Sequence, residues 1–304
     1  AIDNAGDVLV TGSFQGIATF GTSTFTSMIN PASSAYSYDA FTVKYSNTGT
    51  YLWCKTGSAK YTDRGMDIIT DNSNDVYVCG QFSDTIMFDN LHTNAIMNAV
   101  YLIKYSSAGN EIWFSKASAS SSIAYALAIN SNNDIFMAGD FTGTMGFYGI
   151  VNNFLTGTYA NKMFLAKYDK SGNYIWGVTN SSQNYLSARN LALDNAGDAY
   201  IIGEFGCTLT DFSDATDKGL YNSIGYSDIF VVKHLGSTGV RSWMRIIGGP
   251  AKDEAHGINL PSPNNPIIAG SYERRFTWPY QPSVLCPIYP AAKQDIGLYI
   301  WNQA

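Results

Sequence analysis

The sequence predicts an all-β protein, a β-propeller of four-stranded blades, on three observations. A polar turn, a short apolar run, a glycine and an aromatic recur as one block. It reads DNAGDVLVTGSF at 3–14, DNSNDVYVCGQF at 71–82, NSNNDIFMAGDF at 130–141 and DNAGDAYIIGEF at 194–205, with a worn copy, PSPNNPIIAGSY, at 261–272. A second block follows the first four copies: FTVKYSNTGTYLW (41–53), YLIKYSSAGNEIW (101–113), FLAKYDKSGNYIW (164–176) and FVVKHLGSTGVRSW (230–243). Gly12, Gly80, Gly139, Gly203 and Gly270 stand 59 to 68 residues apart, and Trp53, Trp113, Trp176 and Trp243 stand 60 to 67 apart. Two motifs on one period mark an internal repeat, and periods of this order belong to propellers and solenoids. Thirdly, no heptad and no helical spacing of apolar residues appears.

Five units follow, at about 1–57, 64–117, 123–179, 188–248 and 255–304, in one domain without a linker. Unit two shows the pattern. GMDIITD (65–71) alternates apolar and polar, meets an Asn/Ser/Asp turn, and is followed by VYVCGQF (76–82). An apolar run bounded by such residues reads as a strand ending in a tight turn, so these two form a hairpin. YLIKY (101–105), the turn SSAG and NEIWFSK (110–116) form a second hairpin. The four strands are A to D in chain order, and four strands per repeat is the composition of a blade. The strand B runs show little polar alternation, as expected of a strand buried on both faces. Their glycines mark close backbone approach or a bend. GIATFG (16–21) and TIMFDN (85–90) predict a short extra strand between B and C.

Unit one has almost no strand A and unit five no strand D. The chain starts in the middle of a strand, so it reads as processed or as a piece of something longer. Either a five-bladed ring closes imperfectly, or another segment or chain supplies the strands. An open edge is a template for pairing, and strand addition is a recognition mode. In unit five, TWPYQPSVLCPIYPAAKQ (277–294) replaces the ordinary B–C segment and holds four of the nine prolines.

The motifs resemble the SBBP-type bacterial β-propeller repeat, in the form IAxDxxGDxYxxGxF followed by DxFxxKYxxxGxxxW. The resemblance covers nearly the whole chain. It implies a secreted or surface scaffold of Bacteroidetes-like bacteria, often part of large adhesins, with no catalytic signature to transfer. Unit five departs from it, having lost the turn aspartate and the Gly-x-x-x-Trp hairpin. The family often builds seven blades, against five units here.

Composition narrows the function. Charged residues are 14%, hydrophobic residues 45% and the formal net charge is −6, with no basic patch. This argues against nucleic acid and anionic membranes, and no apolar run reaches the length of a membrane span. No signal peptide is expected in the sequence as read. Four cysteines are too few for a disulfide scaffold. Cys54 and Cys79 take positions filled by apolar residues in other units. Cys207 and Cys286 follow strand B of the last two units, where a bridge is open to them in an oxidising compartment.

Features repeated in every unit are architectural, because a site needs local asymmetry. Lys44, Lys104, Lys167 and Lys233 recur by unit and read as structural, with packed stems. The Asp-x-Asn/Ser-x-Asp turns resemble part of a calcium loop but lack its glycine and its final glutamate; Asx side chains holding a turn explain them better. No cofactor or metal site is expected. His92, His234 and His256 share no ligand spacing, and His234 stands where Tyr45, Tyr105 and Tyr168 do. Asp253, Glu254 and His256 read as solvated loop charge, with an acid–base pair the sharper alternative.

The A–B and C–D turns are short and uniform, whereas the B–C and D–A loops vary and carry aromatics. Binding is therefore placed on the B–C/D–A face, with Tyr38, Tyr148, Tyr226, Trp278 and Tyr280 as candidates. Exposed aromatics suit sugar faces or protein anchors; the plain alternative is that they pack their own loops. The leading function is a non-enzymatic extracellular or cell-surface module, structural or adhesive, with protein partners or self-assembly through the incomplete terminal blade. The alternative is a glycan-binding module, and a propeller glycosidase or lyase comes third.

Overall fold

The computed structural model describes residues 1–88, 91–148, 154–157, 160–206, 208–210, 221–261, 265–273 and 294–300. Among these, the chain is all-β with antiparallel sheets throughout and no helix. Unit two pairs Arg64–Thr70, Val76–Phe88, Leu91–Tyr105 and Glu111–Ser118 in that order. Unit three does the same with Ser121–Ile129, Ile135–Thr142, Asn161–Tyr168 and Tyr174–Ser182. Unit four follows with Tyr185–Leu193, Ala199–Gly206, Asp228–His234 and Arg241–Ile247. Unit one contributes Val8–Gln15, Tyr38–Tyr45 and Tyr51–Ser58, and unit five Asp253–Asn259, Ile267–Glu273 and Gln294–Ile300.

The strand B runs are apolar throughout because each is covered twice. Val76 and Val78 join one core with Leu9 and Phe82, while Tyr77 and Cys79 join the next with Met137 and Phe164. Phe136 and Ala138 then share a core with Ile201 and Phe230, and Ile202 turns to a fourth with Ile268. Alternate side chains of a strand point to opposite faces, so each sheet feeds the cores on both its sides. Cys54 and Cys79 are buried thiols within this packing.

The repeated glycine of strand B faces a bulge in strand A. The A–B register slips between Gly65 and Asp67, Ala124 and Ala126, Ala188 and Asn190, and Ala255 and Gly257. A Cβ at Gly80, Gly139 or Gly203 would lie 1.9 to 2.1 Å from the carbonyl oxygen of Arg64, Ile123 or Ser187. The glycine therefore lets the bulged strand approach.

The A–B turns of units one to four are closed in the same way. Oδ1 of Asp3, Asp71, Asn130 and Asp194 accepts two backbone N–H bonds from the residues two and four ahead. The strand C lysine then enters the turn. Lys44 lies 2.8 Å from Asp3 and 3.2 Å from Asp7, and Lys233 lies 2.9 Å from Asp194 and 3.0 Å from Asp198. Lys104 pairs with Asp71 and Asp75, and Lys167 with Asp134. Where the spacing resembles a calcium loop, the cation is the chain's own ammonium group.

Units are latched to one another. The Trp53 and Trp113 indoles donate to the carbonyl oxygens of Ser107 and Lys170 in the next unit's C–D turn. Trp53, Trp113 and Trp176 pack so closely on Gly109, Gly172 and Gly239, all at positive φ, that a Cβ there would meet the indole at 2.7 to 2.8 Å. The B–C segment also crosses over. Met87 and Phe88 pair with Ser58 and Gly57, Gly146 and Phe147 with Ser118 and Ala117, and Leu209 and Thr210 with Ser182 and Ser181. Each of these extends the outer strand of the preceding unit. In unit one the corresponding hairpin, Ile17–Phe20 with Ser23–Thr26, pairs with itself.

Candidate functional site

The strand A bulges supply the asymmetry that a site requires. Each sets one extra residue into the register slip: Met66, Tyr125, Arg189 and His256 in units two to five. A bulge re-aims side chains and is frequent beside functional sites. Beside them stands the residue after the strand B glycine: Ser13, Gln81, Asp140, Glu204 and Ser271. At these positions the otherwise matched units differ chemically.

The two sets meet in polar pairs. Glu204 Oε1 accepts a 2.8 Å bond from Arg189 Nε, and Arg189 Nη2 donates to the Tyr185 hydroxyl at 2.6 Å. The Arg189 guanidinium also stands 5.7 Å from the centre of the Tyr125 ring. Asp140 accepts from the Ser187 hydroxyl at 2.6 Å and the Ala188 N–H at 2.7 Å, across the junction of units three and four. Burial pushes the Asp140 carboxyl up to about 7 against the pull of those two donors. In unit five His256 Nε2 lies 3.1 Å from Ser271 Oγ, which donates to Glu254 at 3.4 Å.

Of these groups, Asp140 and Tyr185 line a cleft of about 190 Å³, together with Ser122, Phe141, Asn161 and Lys162 among others. Lys162 differs from the four repeated lysines. It is buried, donates to the Ala160 carbonyl at 3.4 Å and stands over the Phe141 ring; burial lowers its pKa. The cleft thus offers a cationic donor, a carboxyl that titrates near neutrality and an aromatic wall. Among the described residues, no group of three or more His, Cys, Asp or Glu side chains is arranged to hold a metal ion.

The sequence-selected aromatics sit elsewhere on the B–C/D–A side. Tyr38 is half-exposed at the start of its strand, with the Arg64 guanidinium 5.7 Å from its ring centre. Tyr148 is 73% exposed, with the Lys116 ammonium 4.9 Å from its ring centre. Tyr226 is exposed and its N–H donates to the Ala251 carbonyl. They belong to units one, three and four, and none lines the Lys162 cleft. Trp278, Tyr280, Cys207 and Cys286 lie outside the described residues. One expectation is corrected: Asp253 is 1% exposed and so is no solvated loop charge, because strand A of unit five begins on it and buries it against Ser227. His234 is buried and its Nδ1 lies 2.8 Å from the Gly239 carbonyl oxygen, a structural role.

Sequence reasoning missed Arg189, Glu204, Asp140 and Lys162. The signal was present in the residue after the repeated glycine, which changes from Ser to Gln, Asp and Glu while its neighbours hold. The bulge that pairs it with strand A of its own or the next unit was not legible.

No family model matches this sequence. An uncharacterized WD repeat-containing protein of Acanthamoeba polyphaga mimivirus is 25% identical over 252 residues, which cover 71% of this chain and 18% of that protein. The chain therefore spans about a fifth of the length of the relative it matches. WD repeats are propeller repeats, and this relative and the repeated antiparallel sheets both fit a β-propeller.

Proposed function

We propose that this chain is a non-enzymatic β-propeller module, with five blade units in this stretch of which the terminal ones are incomplete, that binds other proteins through its B–C/D–A side. One observation carries the reading. The residues that repeat are consumed inside the fold, as turn ion pairs and inter-unit latches, while the exposed Tyr38, Tyr148 and Tyr226 stand in or beside B–C segments that differ from unit to unit. The WD-type relative supports an interaction module, and the SBBP-type resemblance supports an extracellular, cell-surface setting with a structural or adhesive task. Strand exchange is one form such binding takes. The Ile17–Thr26 hairpin stands where other units pair with a preceding outer strand, so an outer strand of like sequence fits it.

The test is a photo-crosslinking amino acid at position 38, 148 or 226, in the cells or particles that carry the protein. The expected result is a discrete protein adduct from at least one of these positions and none from position 47, in the C–D turn of unit one. Adducts from position 47 alone, or from no position, would overturn the reading. A glycan array separates the lectin alternative: binding to one sugar class that is lost in Tyr226→Ala or Trp278→Ala would replace protein binding as the principal activity.

A further inference from the structure

Lys162 is out of place in the repeat. At the start of strand C, opposite the strand B aromatic, units one, two and four carry Asp39, Ala99 and Asp228. Unit three carries Lys162 there, opposite Phe141. An alanine fills the place in unit two, so the architecture does not require a lysine.

The ammonium is poorly matched by the protein. Lys162 is 5% exposed, and its Nζ donates one long bond, of 3.4 Å, to the Ala160 carbonyl oxygen. The Phe141 ring centre lies 5.6 Å away. An ammonium has three donors to place. Among the described residues, no carboxylate lies within ion-pair distance of it. A buried cation without an anion is unfavourable.

The cleft that Lys162 lines supplies the rest of a site. Asp140 uses one acceptor position on each oxygen, Oδ2 for the Ser187 hydroxyl and Oδ1 for the Ala188 N–H. A carboxylate has about four such positions, so capacity remains. Asn161 commits its Nδ2 to the Asn184 carbonyl oxygen, which leaves Oδ1 to accept. Ser121 and Thr142, opposite each other in the register, bring hydroxyls that bond to none of the described residues. Tyr185 is 36% exposed, and Arg189 and Glu204 hold its hydroxyl, so the ring is fixed in place.

Three features select the ligand. One ammonium, with no second cation in the lining, answers a single negative charge and not a phosphate dianion. The spare acceptors on Asp140 and Asn161 call for a ligand that also donates, which means hydroxyl groups. The Tyr185 and Phe141 rings suit the C–H faces of a saturated ring. A volume of about 190 Å³ lies below the roughly 300 to 1,000 Å³ of sites for drug-sized ligands, which leaves room for one such ring.

We propose that the cleft between units three and four binds a hexuronic acid, with the sugar carboxylate on Lys162 and the sugar hydroxyls on Asp140 and Asn161. The site is separate from the protein-binding positions, because Tyr38, Tyr148 and Tyr226 do not line the cleft.

The test is calorimetric titration of the full chain with sodium glucuronate and sodium galacturonate. It is run at pH 6, below the value of about 7 to which burial pushes Asp140. The expected result is that at least one of the two saturates a single site in the millimolar range, as suits a ligand of this size. Glucose and acetate each carry half of the recognition and are expected to bind at least about tenfold more weakly. Lys162→Met is expected to abolish hexuronate binding with little change in Tm, whereas Lys170→Met leaves it intact. Tyr226→Ala also leaves it intact, which distinguishes this site from the lectin alternative. The ligand comparison on the parent chain is decisive even if the Lys162 variant does not fold. No saturation by either hexuronate, equal affinity for acetate or undiminished binding in Lys162→Met would overturn the proposal. Tighter binding of an acetylated glutamate-containing peptide would overturn it too, and give the cleft to an acidic peptide.

Discussion

Lys44, Lys104, Lys167 and Lys233 show how a motif's chemistry is decided by one further side chain. The Asp-x-x-x-Asp spacing suits a metal, yet each turn except that of unit three presents two carboxylates to a lysine ammonium from strand C, and unit three presents one. His234 is the opposite case, an exception to a repeat that stays structural. It occupies the place of a tyrosine, donates from Nδ1 to a carbonyl, and burial holds its pKa down at about 4. The unfolded chain takes up a proton near the ordinary value of about 6.5, which the folded chain refuses until about pH 4. Stability from this residue is therefore complete above pH 6.5 and is lost as pH falls toward 4, by up to about 3 kcal/mol. His234→Tyr, which restores the residue of the other units, is expected to lose less urea resistance than the parent between pH 7 and pH 5. Asp63, Asp140 and Asp228 titrate in both proteins and cancel in the comparison. Equal losses in the two proteins would show that His234 does not carry the acid sensitivity.

At the scale of the element, the period near sixty is explained by the B–C insertion. A bare blade leaves the edge of strand D open, and open edges invite wrong pairing. Here the insertion of the next unit covers that edge, at Gly57–Ser58, Ala117–Ser118 and Ser181–Ser182. The covered amides are expected to exchange with deuterium as slowly as the centre of the ladder. Replacing residues 143–157 by a short Gly-Ser turn should speed exchange at 117–118 while leaving 135–142 slow. Unchanged exchange at 117–118 would mean that the insertion is not what protects the edge.

At the scale of the whole molecule, stability is shared between neighbours. Each core lies between two units, so the chain behaves as a stack in which every sheet depends on the next. The Ile17–Thr26 hairpin is a strand pair of the kind that elsewhere adds to a preceding outer strand. If a second copy supplies that strand, light scattering is expected to give a multiple of 33.1 kDa, and Ala18→Pro, on the hairpin, to restore the monomer. A 33.1 kDa monomer at every concentration would sink the self-assembly reading and leave a different protein as the partner.

The sequence by itself determined the all-β class, the hairpins and the structural use of the repeated lysines, tryptophans and glycines. Those features depend on contacts within a unit or on a period that copies itself, and both are visible in one dimension. Tertiary structure alone decided which residues differ with consequence. Asp140 and Ser187 are 47 residues apart, and no local pattern links them. They meet because the start of one unit's strand A packs against the strand B or strand C of the unit before it. There a carboxylate that reads as surface charge loses its water and must find a proton or a donor such as the Ser187 hydroxyl.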